Sequence, residues 1–320
     1  VKQLFNRYSR YLKNRYGEAA YRVGVDAGFS CPNRREDGGG GCFYCDAAGS
    51  RAPYQVLMEE RFVLGPAVDS PVWRDWMKKQ IEGGMNFLAH RYGAALFILY
   101  IQAFSGTYAP VELLRRVYSY LLAFAPFKEL VVGTRPDCFD PPRADLLAEF
   151  HSPERDVWLE LGLQSFHDPT LRRIGRGHDS AAFRRAFILA KERGLKVAVH
   201  MIFGLPGEDD REIQESIRLL SEMEPDGIKI HNLHIAEGTR FAQMWRDGKL
   251  EVPDTETHLR RVVDALEILP FSTVIQRLTC DTPPERLLAP ENFSGKQHFY
   301  QLTEAELERR GSWQGSKRNR

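Results

Sequence analysis

Cysteine is scarce in this chain and odd in number. Five residues cannot all pair, and Cys31, Cys42 and Cys45 crowd into fifteen positions, which speaks against a disulfide-stapled scaffold and for a metal or redox role for that trio. No apolar run approaches the roughly 18 to 20 residues that cross a bilayer. The opening stretch 1–7 lacks the apolar run of a signal peptide, so a cytoplasmic protein without a membrane partner is expected. Net charge is nearly absent as well: +1 argues against a surface that coats nucleic acid all over. No internal repeat is visible, and only Gly38-Gly39-Gly40-Gly41 is low in complexity.

What is present is enough apolar sequence to fill a large core: 43% hydrophobic against 27% charged residues over 320 positions. Runs rich in β-branched and apolar residues at 21–27, 96–104, 130–133, 157–162, 196–203, 227–233 and 273–278 read as strands. Amphipathic stretches at 72–82, 111–125, 143–150, 181–193, 212–223 and 255–269 read as the helices between them. Alternation of this kind predicts parallel strands joined by right-handed helical crossovers. Periodicity leaves two topologies open, a partial barrel and an open doubly wound sheet, and in both the chemistry gathers just past the C-terminal ends of the strands.

Directly after the first strand the sequence runs from Cys31 through the glycine run to Cys42-Phe43-Tyr44-Cys45, a spacing of ten residues and then two. Three thiolates on one loop can hold three corners of a four-iron cluster and leave the fourth iron open. Glycines let the backbone come close to the inorganic core. A structural zinc site is the alternative and would need a fourth ligand from His151, His167 or another distant group. Cys138 and Cys280, isolated in sequence, read as buried small hydrophobes.

These motifs resemble the radical S-adenosylmethionine (SAM) superfamily, and within it the bacterial branch typified by proteins named YhcC and YtqA, related to the catalytic subunit of elongator. The likeness is carried by Gly28-Phe29-Ser30-Cys31-Pro32-Asn33-Arg34, Gly41 to Cys45, Val132 to Cys138, Glu160 to Ser165, Arg176-Gly177-His178-Asp179, Gly204 to Glu208, Ile228 to His234 and Leu287 to Pro290. The ending 308–315 looks more like the YtqA type. The resemblance implies an α/β fold, a partial (β/α)6-type TIM barrel over 21–280, with a basic and aromatic N-terminal extension at 1–20 and a C-terminal extension with a basic tail at 281–320. It also implies a 4Fe-4S cluster on Cys31, Cys42 and Cys45 that delivers one electron to bound SAM, generating a 5′-deoxyadenosyl radical, with a flavodoxin- or ferredoxin-type electron donor.

Where superfamily members often carry Gly-Gly-Glu after the second strand, this chain reads Gln102-Ala103-Phe104, so Gln102 or a backbone carbonyl is expected to take over the methionine amino group. By motif position Thr134, Arg135, Gln164, Arg176 and His200 are expected to line the cofactor site, Arg176 on the methionine carboxylate and Gln164 and His200 near the ribose. Glu160 is expected either on the ribose or on a basic group of a neighbouring strand. His231 and His234, an odd number of residues apart, cannot both face the interior from one strand, and one of them is a candidate on the substrate side. The YtqA type implies tRNA as substrate, at a wobble-uridine side chain of the 5-carboxymethylaminomethyl or aminomethyl kind. Lys2, Arg7, Arg10, Lys13 and Arg15 among Phe5, Tyr8, Tyr11 and Tyr16, and Arg309, Arg310, Lys317, Arg318 and Arg320 at the other end, are expected to track phosphates and stack bases. Two other readings stay open: a radical enzyme acting on a small metabolite or protein side chain, and a non-catalytic zinc-stabilised RNA-binding protein.

Overall fold

A computed structural model describes residues 3–34, 40–45, 68, 70–280 and 282–318. Seven parallel strands run through it in chain order: β1 (Ala20–Val25), β2 (Leu96–Ile101), β3 (Glu129–Thr134), β4 (Asp156–Gln164), β5 (Lys196–Phe203) and β6 (Gly227–Asn232), then, after the short β7 (Ile235–Ala236), β8 (Val274–Arg277). β7 pairs antiparallel with β9 (Leu287–Ala289) as a separate two-stranded sheet. Preceding β1 is α1 (Tyr8–Tyr16), and the crossovers are α2 (Pro71–Tyr92), α3 (Val111–Leu122), α4 (Pro141–Glu149), α5 (Asp168–Arg173) with α6 (Ser180–Glu192), α7 (Asp210–Met223), and α8 (Arg240–Arg246) with α9 (Thr255–Ile268); α10 (Lys296–Arg309) closes the chain. The result is a parallel half-barrel, which decides between the two topologies.

Alternation along each strand sends one set of side chains outward and the other inward. The outward set, with Val23, Leu99, Val132, Leu161, Val199 and Ile230 all fully buried, packs under the crossover helices as the main core. Helix starts are capped by the expected residue types: the Asp140, Asp179 and Asp254 side chains accept from backbone N–H groups three residues on, and Asp209 with Glu212 forms a capping box.

The inward set changes character along the barrel axis. Near the N-terminal ends of the strands it is apolar, with Ile98, Val131, Trp158 and Ala198 closed off by Leu12 of α1. Midway it becomes charged. No helix among the described residues is long and apolar enough to cross a membrane.

Both end segments are built into this body. The Asn6 carbonyl accepts from the Ile275 N–H, and Arg7 bridges Ile275 in parallel, so the outer edge of β8 is covered rather than left bare. Tyr8 donates to Glu129, Tyr16 hydrogen-bonds Glu129 and Asp156, and Tyr11 meets Trp158 edge-on at 5.9 Å. Arg15 pairs with Asp156 and Arg7 with Glu304. At the other end Arg310 pairs with Asp264, Glu267 and Glu306, Lys317 with Glu267 and Arg318 with Glu224. The rings expected to stack bases are therefore packed inside the fold, and most of the expected phosphate contacts already hold carboxylates; Lys2 and Arg320 lie outside the described residues.

Candidate functional site

The cysteine loop lies at the C-terminal ends of the strands, pinned to the segment between α5 and α6. The Phe43 N–H donates to the Ile174 carbonyl, the Phe241 N–H to the Phe43 carbonyl, and Asn33 Nδ2 to the Gly175 carbonyl at 2.7 Å. Two glycines make this approach possible. A Cβ on Gly175 would stand 2.6 Å from Phe43 Cε1, one on Gly177 2.5 Å from Asn33 Oδ1, and both residues hold positive φ (+64° and +76°). Gly38 and Gly39 lie outside the described residues, while Gly40 and Gly41 hold φ of 77° and 87°.

Cationic and amide donors are aimed at the sulfurs. Arg176 Nη1 donates to Cys42 Sγ at 3.4 Å, Asn33 Nδ2 approaches it at 3.6 Å, and Arg34 Nη2 approaches Cys45 Sγ at 3.7 Å. Burial pushes the Cys42 thiol up, but the charge and hydrogen bond of Arg176 more than reverse this, so Cys42 sits below an ordinary thiol. At Cys45 burial wins over the pull of Arg34 and the thiol is raised.

Among the described residues no three His, Cys, Asp or Glu side chains are grouped so as to hold one metal ion. A four-iron cluster takes one thiolate per iron corner, and three cysteines on one loop beneath guanidinium donors fit it; the buried Arg176 Nε, which has no partner, leaves a donor for whatever fills the site.

The other expected residues fall into two groups. Arg176 rests on β4: its Nη2 donates to the Gly162 carbonyl at 2.6 Å, where His178 Nε2 also lies at 3.2 Å. Gln164 ends β4 at a register shift with φ +75°, and its side chain points at the same place, with Nε2 2.9 Å from where a Gly162 Cβ would be. After β2, Ala103 (φ 78°) and Phe104 (φ 57°) hold a backbone conformation suited to glycine, so the Gln102 turn keeps the bend although the glycines are gone. Phe104 also receives the Arg34 guanidinium over its ring at 4.7 Å, which ties this turn to the cysteine loop.

Thr134 and Arg135 are occupied elsewhere. The Thr134 hydroxyl hydrogen-bonds Ser105 (2.7 Å) and Thr107 (2.6 Å); Arg135 grips Asp137 with Nε and Nη2 and the Arg176 carbonyl with Nη1 (2.7 Å). They brace the loop that presents Arg176.

Glu160 takes the second of its two expected positions. It is fully buried on the inward face of β4 and accepts from Arg22 of β1 (2.6 Å), Lys229 of β6 (2.5 Å) and His200 of β5 (3.0 Å). Burial opposes its charge, yet Arg22 and Lys229 hold the carboxyl well below the usual range. His231 faces the interior and stacks on His200 at 5.7 Å; its Nε2 is buried without a partner. His234 lies past the end of β6, with Nδ1 2.8 Å from Cys280 Sγ. Sequence reasoning saw Cys280 as a buried hydrophobe; it is half-buried and paired. Cys138 is buried. Missed altogether were Arg22, Lys229 and Arg277, whose only signal was a lone cation inside an apolar strand pattern.

Comparison with known proteins now decides the family. The family model described as "Radical SAM superfamily" matches residues 31–220, and the one described as "Radical_SAM C-terminal domain" matches 225–309. The chain belongs to the radical SAM superfamily. Among its relatives, YhcC of Escherichia coli is 36% identical over 291 residues, covering 91% of this chain and 88% of that one. A "tRNA uridine(34) acetyltransferase" of Methanocaldococcus infernus is 29% identical over 157 residues, 48% of this chain and 29% of its own length. The solved structure of Elp3 from M. infernus, lacking residues 1–46, superposes with a TM-score of 0.68 at 18% identity, over 92% of this chain and 64% of that one, which establishes the shared fold. The cysteine loop, Arg176 and the strand ends meet at the mouth of the half-barrel, the candidate site for the chemistry of this radical SAM enzyme.

Proposed function

We propose that this radical SAM enzyme modifies the side chain of the tRNA wobble uridine, of the 5-carboxymethylaminomethyl or aminomethyl kind, with Cys31, Cys42 and Cys45 as the cluster ligands. The likeness to a tRNA uridine(34) acetyltransferase over 157 residues supports the substrate; the guanidinium of Arg176 on Cys42 Sγ supports the ligand assignment. When bound, cluster and SAM together supply a 5′-deoxyadenosyl radical able to take hydrogen from an unactivated carbon. Around them this chain's residues bind, orient and exclude water. The turn at Gln102 presents backbone carbonyls and an amide suited to the methionine ammonium. Arg176 keeps Nε free beside Gly162, and Gln164 turns its amide to the same place, for the carboxylate and ribose. Thr134 and Arg135 fix the loop beneath them, and Glu160 holds His200 under the ribose position through a hydrogen bond. His231, stacked on His200, and His234, beside Cys280, are the two candidates of which one stands on the substrate side. The electron comes from a flavodoxin- or ferredoxin-type donor in the cytoplasm.

The test is anaerobic reconstitution with iron and sulfide, reduction, and mass-spectrometric detection of 5′-deoxyadenosine, followed by nucleoside analysis of tRNA incubated with the enzyme. Expected are cysteine-dependent 5′-deoxyadenosine, absent in Cys31→Ala, Cys42→Ala and Cys45→Ala, and a mass change confined to the wobble uridine. Turnover on a small molecule with tRNA left unchanged rejects the RNA substrate. A fully loaded cluster that yields no 5′-deoxyadenosine rejects the radical chemistry, and iron content undiminished in the three cysteine variants rejects the ligand assignment.

A further inference from the structure

Three basic side chains, Arg22, Lys229 and Arg277, stand near Glu160 inside the half-barrel. Arg22 and Lys229 share the one carboxylate of Glu160, while Glu129, lower down, is bonded by Tyr8 and Tyr16 and pushed up by burial. A third cation, Arg277, ends β8 directly opposite Lys229 in the β6–β8 register. The register slips just before this pair, so that Gln276 turns to Arg22 (3.0 Å) and Arg277 stands beside it, half-buried. Among the described residues Arg277 has no hydrogen-bond or ion-pair partner, whereas Arg22, Lys229, Arg135 and Arg176 around it are each bonded.

Lys229, His200, His231 and His234 all fall within the field of Arg277, and burial first, with this positive charge among the further causes, pushes all four below their ordinary values. β5, β6 and β8 themselves carry no carboxylate. His231, one step further up β6, keeps Nε2 buried with nothing to bond. The Arg277 guanidinium and the unbonded ring nitrogen of His231 thus come from neighbouring strands, two residues apart in register, and with the imidazole proton on Nε2 both donate to an oxyanion.

We propose that Arg277 and His231 form a subsite that holds a carboxylate or phosphate oxyanion of the substrate. Arg176, assigned to the SAM carboxylate, rests on Gly162 of β4, whereas Arg277 enters from β8, so a second guanidinium is on offer here. The inference does not depend on the substrate being RNA. Carboxylate and phosphate are the same chemistry at this site and differ only in where on the substrate the group resides.

The reconstituted holoenzyme and its Arg277→Gln and Arg277→Lys variants are melted in chloride, inorganic phosphate or malonate at equal ionic strength, and SAM affinity is measured for each. In chloride, Arg277→Gln melts no lower than wild type, since it removes a cation that no described residue matches. Millimolar phosphate or malonate raises the melting temperature of wild type, Arg277→Lys keeps part of the rise, and Arg277→Gln weakens the effective anion at least tenfold. Malonate as the effective anion assigns a substrate carboxylate, and phosphate a phosphate. A lower melting temperature for Arg277→Gln in chloride with its response to anions intact overturns the proposal in favour of a structural strut. So does a tenfold loss of SAM affinity in Arg277→Gln, which would give the oxyanion to the cofactor. None of these measurements uses tRNA, so an absence of tRNA turnover leaves their outcome standing.

Discussion

Arg176 joins the cysteine loop to the barrel: its Nη1 donates to Cys42 Sγ at 3.4 Å while Nη2 donates to the Gly162 carbonyl at 2.6 Å. Such a fork stabilises the thiolate and fixes its position at once. Arg176→Ala is expected to lower iron content after reconstitution and to speed cluster loss to a chelator about tenfold, the lower range for losing one charged hydrogen bond. Gly162→Ala should do the same with every charge in place, because its Cβ would stand 2.6 Å from Nη2 and push the guanidinium aside. Iron content and chelator kinetics measure both; wild-type retention in Gly162→Ala would separate Arg176 from cluster binding.

Glu160 anchors four strands through Arg22, Lys229 and His200. With its pKa depressed in the fold, it contributes stability that is full above the ordinary carboxylate range and is lost only as pH falls through its lowered value. Glu160→Gln mimics the protonated state at neutral pH and leaves two buried cations on an amide. A loss of about 3–5 kcal/mol is expected, read from urea unfolding at pH 7. A loss below about 1 kcal/mol would show that water reaches these cations.

The barrel was legible because period-2 apolar runs separated by amphipathic helices allow little else. All seven strands fall at the expected positions, from 21–27 against Ala20–Val25 to 273–278 against Val274–Arg277. Four helices were not foreseen. α1 reads as a basic, aromatic tail because its apolar contacts are rings of tyrosine whose hydroxyls seek Glu129 and Asp156, a partnership that exists only once the strands are assembled. α5 and α8 are too short, at 6 and 7 residues, to show a helical period. In the site, the three cysteines were expected as ligands from their spacing and Arg176 as a cofactor contact from the resemblance. Arg22, Lys229 and Arg277 were not singled out, because a single cation in a strand carries no pattern; only the assembled barrel, where Glu160 of β4 bonds Arg22 of β1 and Lys229 of β6 and Arg277 pairs in register with Lys229, gives them a shared role.

Buried histidines predict acid lability. Burial pushes His258 down to about 4, against the bond its Nε2 makes to the Leu278 carbonyl at 2.8 Å, and His200 likewise lies at about 4. The folded protein therefore binds fewer protons than the unfolded chain between about pH 4 and the ordinary histidine value near 6.5. Stability must fall as pH drops through that window and stay flat above it, each histidine contributing about 1–2 kcal/mol of loss by pH 5. Melting curves from pH 5 to 8 should show this slope. His258→Gln, far from the cysteine loop and still able to donate to Leu278, should reduce it; an unchanged slope would mean that other groups carry the transition.

The packing of α1 makes the N-terminal aromatics elements of the fold, and this has a measurable consequence. Tyr8 donates to Glu129 and receives Arg22 over its ring at 4.7 Å, and Tyr11 stacks on it at 6.1 Å. Removing the Tyr8 ring empties the floor of the half-barrel and leaves Glu129 short of a donor. Tyr8→Ala should cost about 3–5 kcal/mol, in the range for a buried aromatic, and lower the melting temperature, whereas Arg10→Ala and Lys13→Ala, on the exposed face of the same helix, should leave it unchanged. If tRNA binds through this end, only the last two will weaken it, with a reduced dependence on salt. A Tyr8→Ala variant that melts like wild type yet loses tRNA would return the ring to the role of a base-stacking platform.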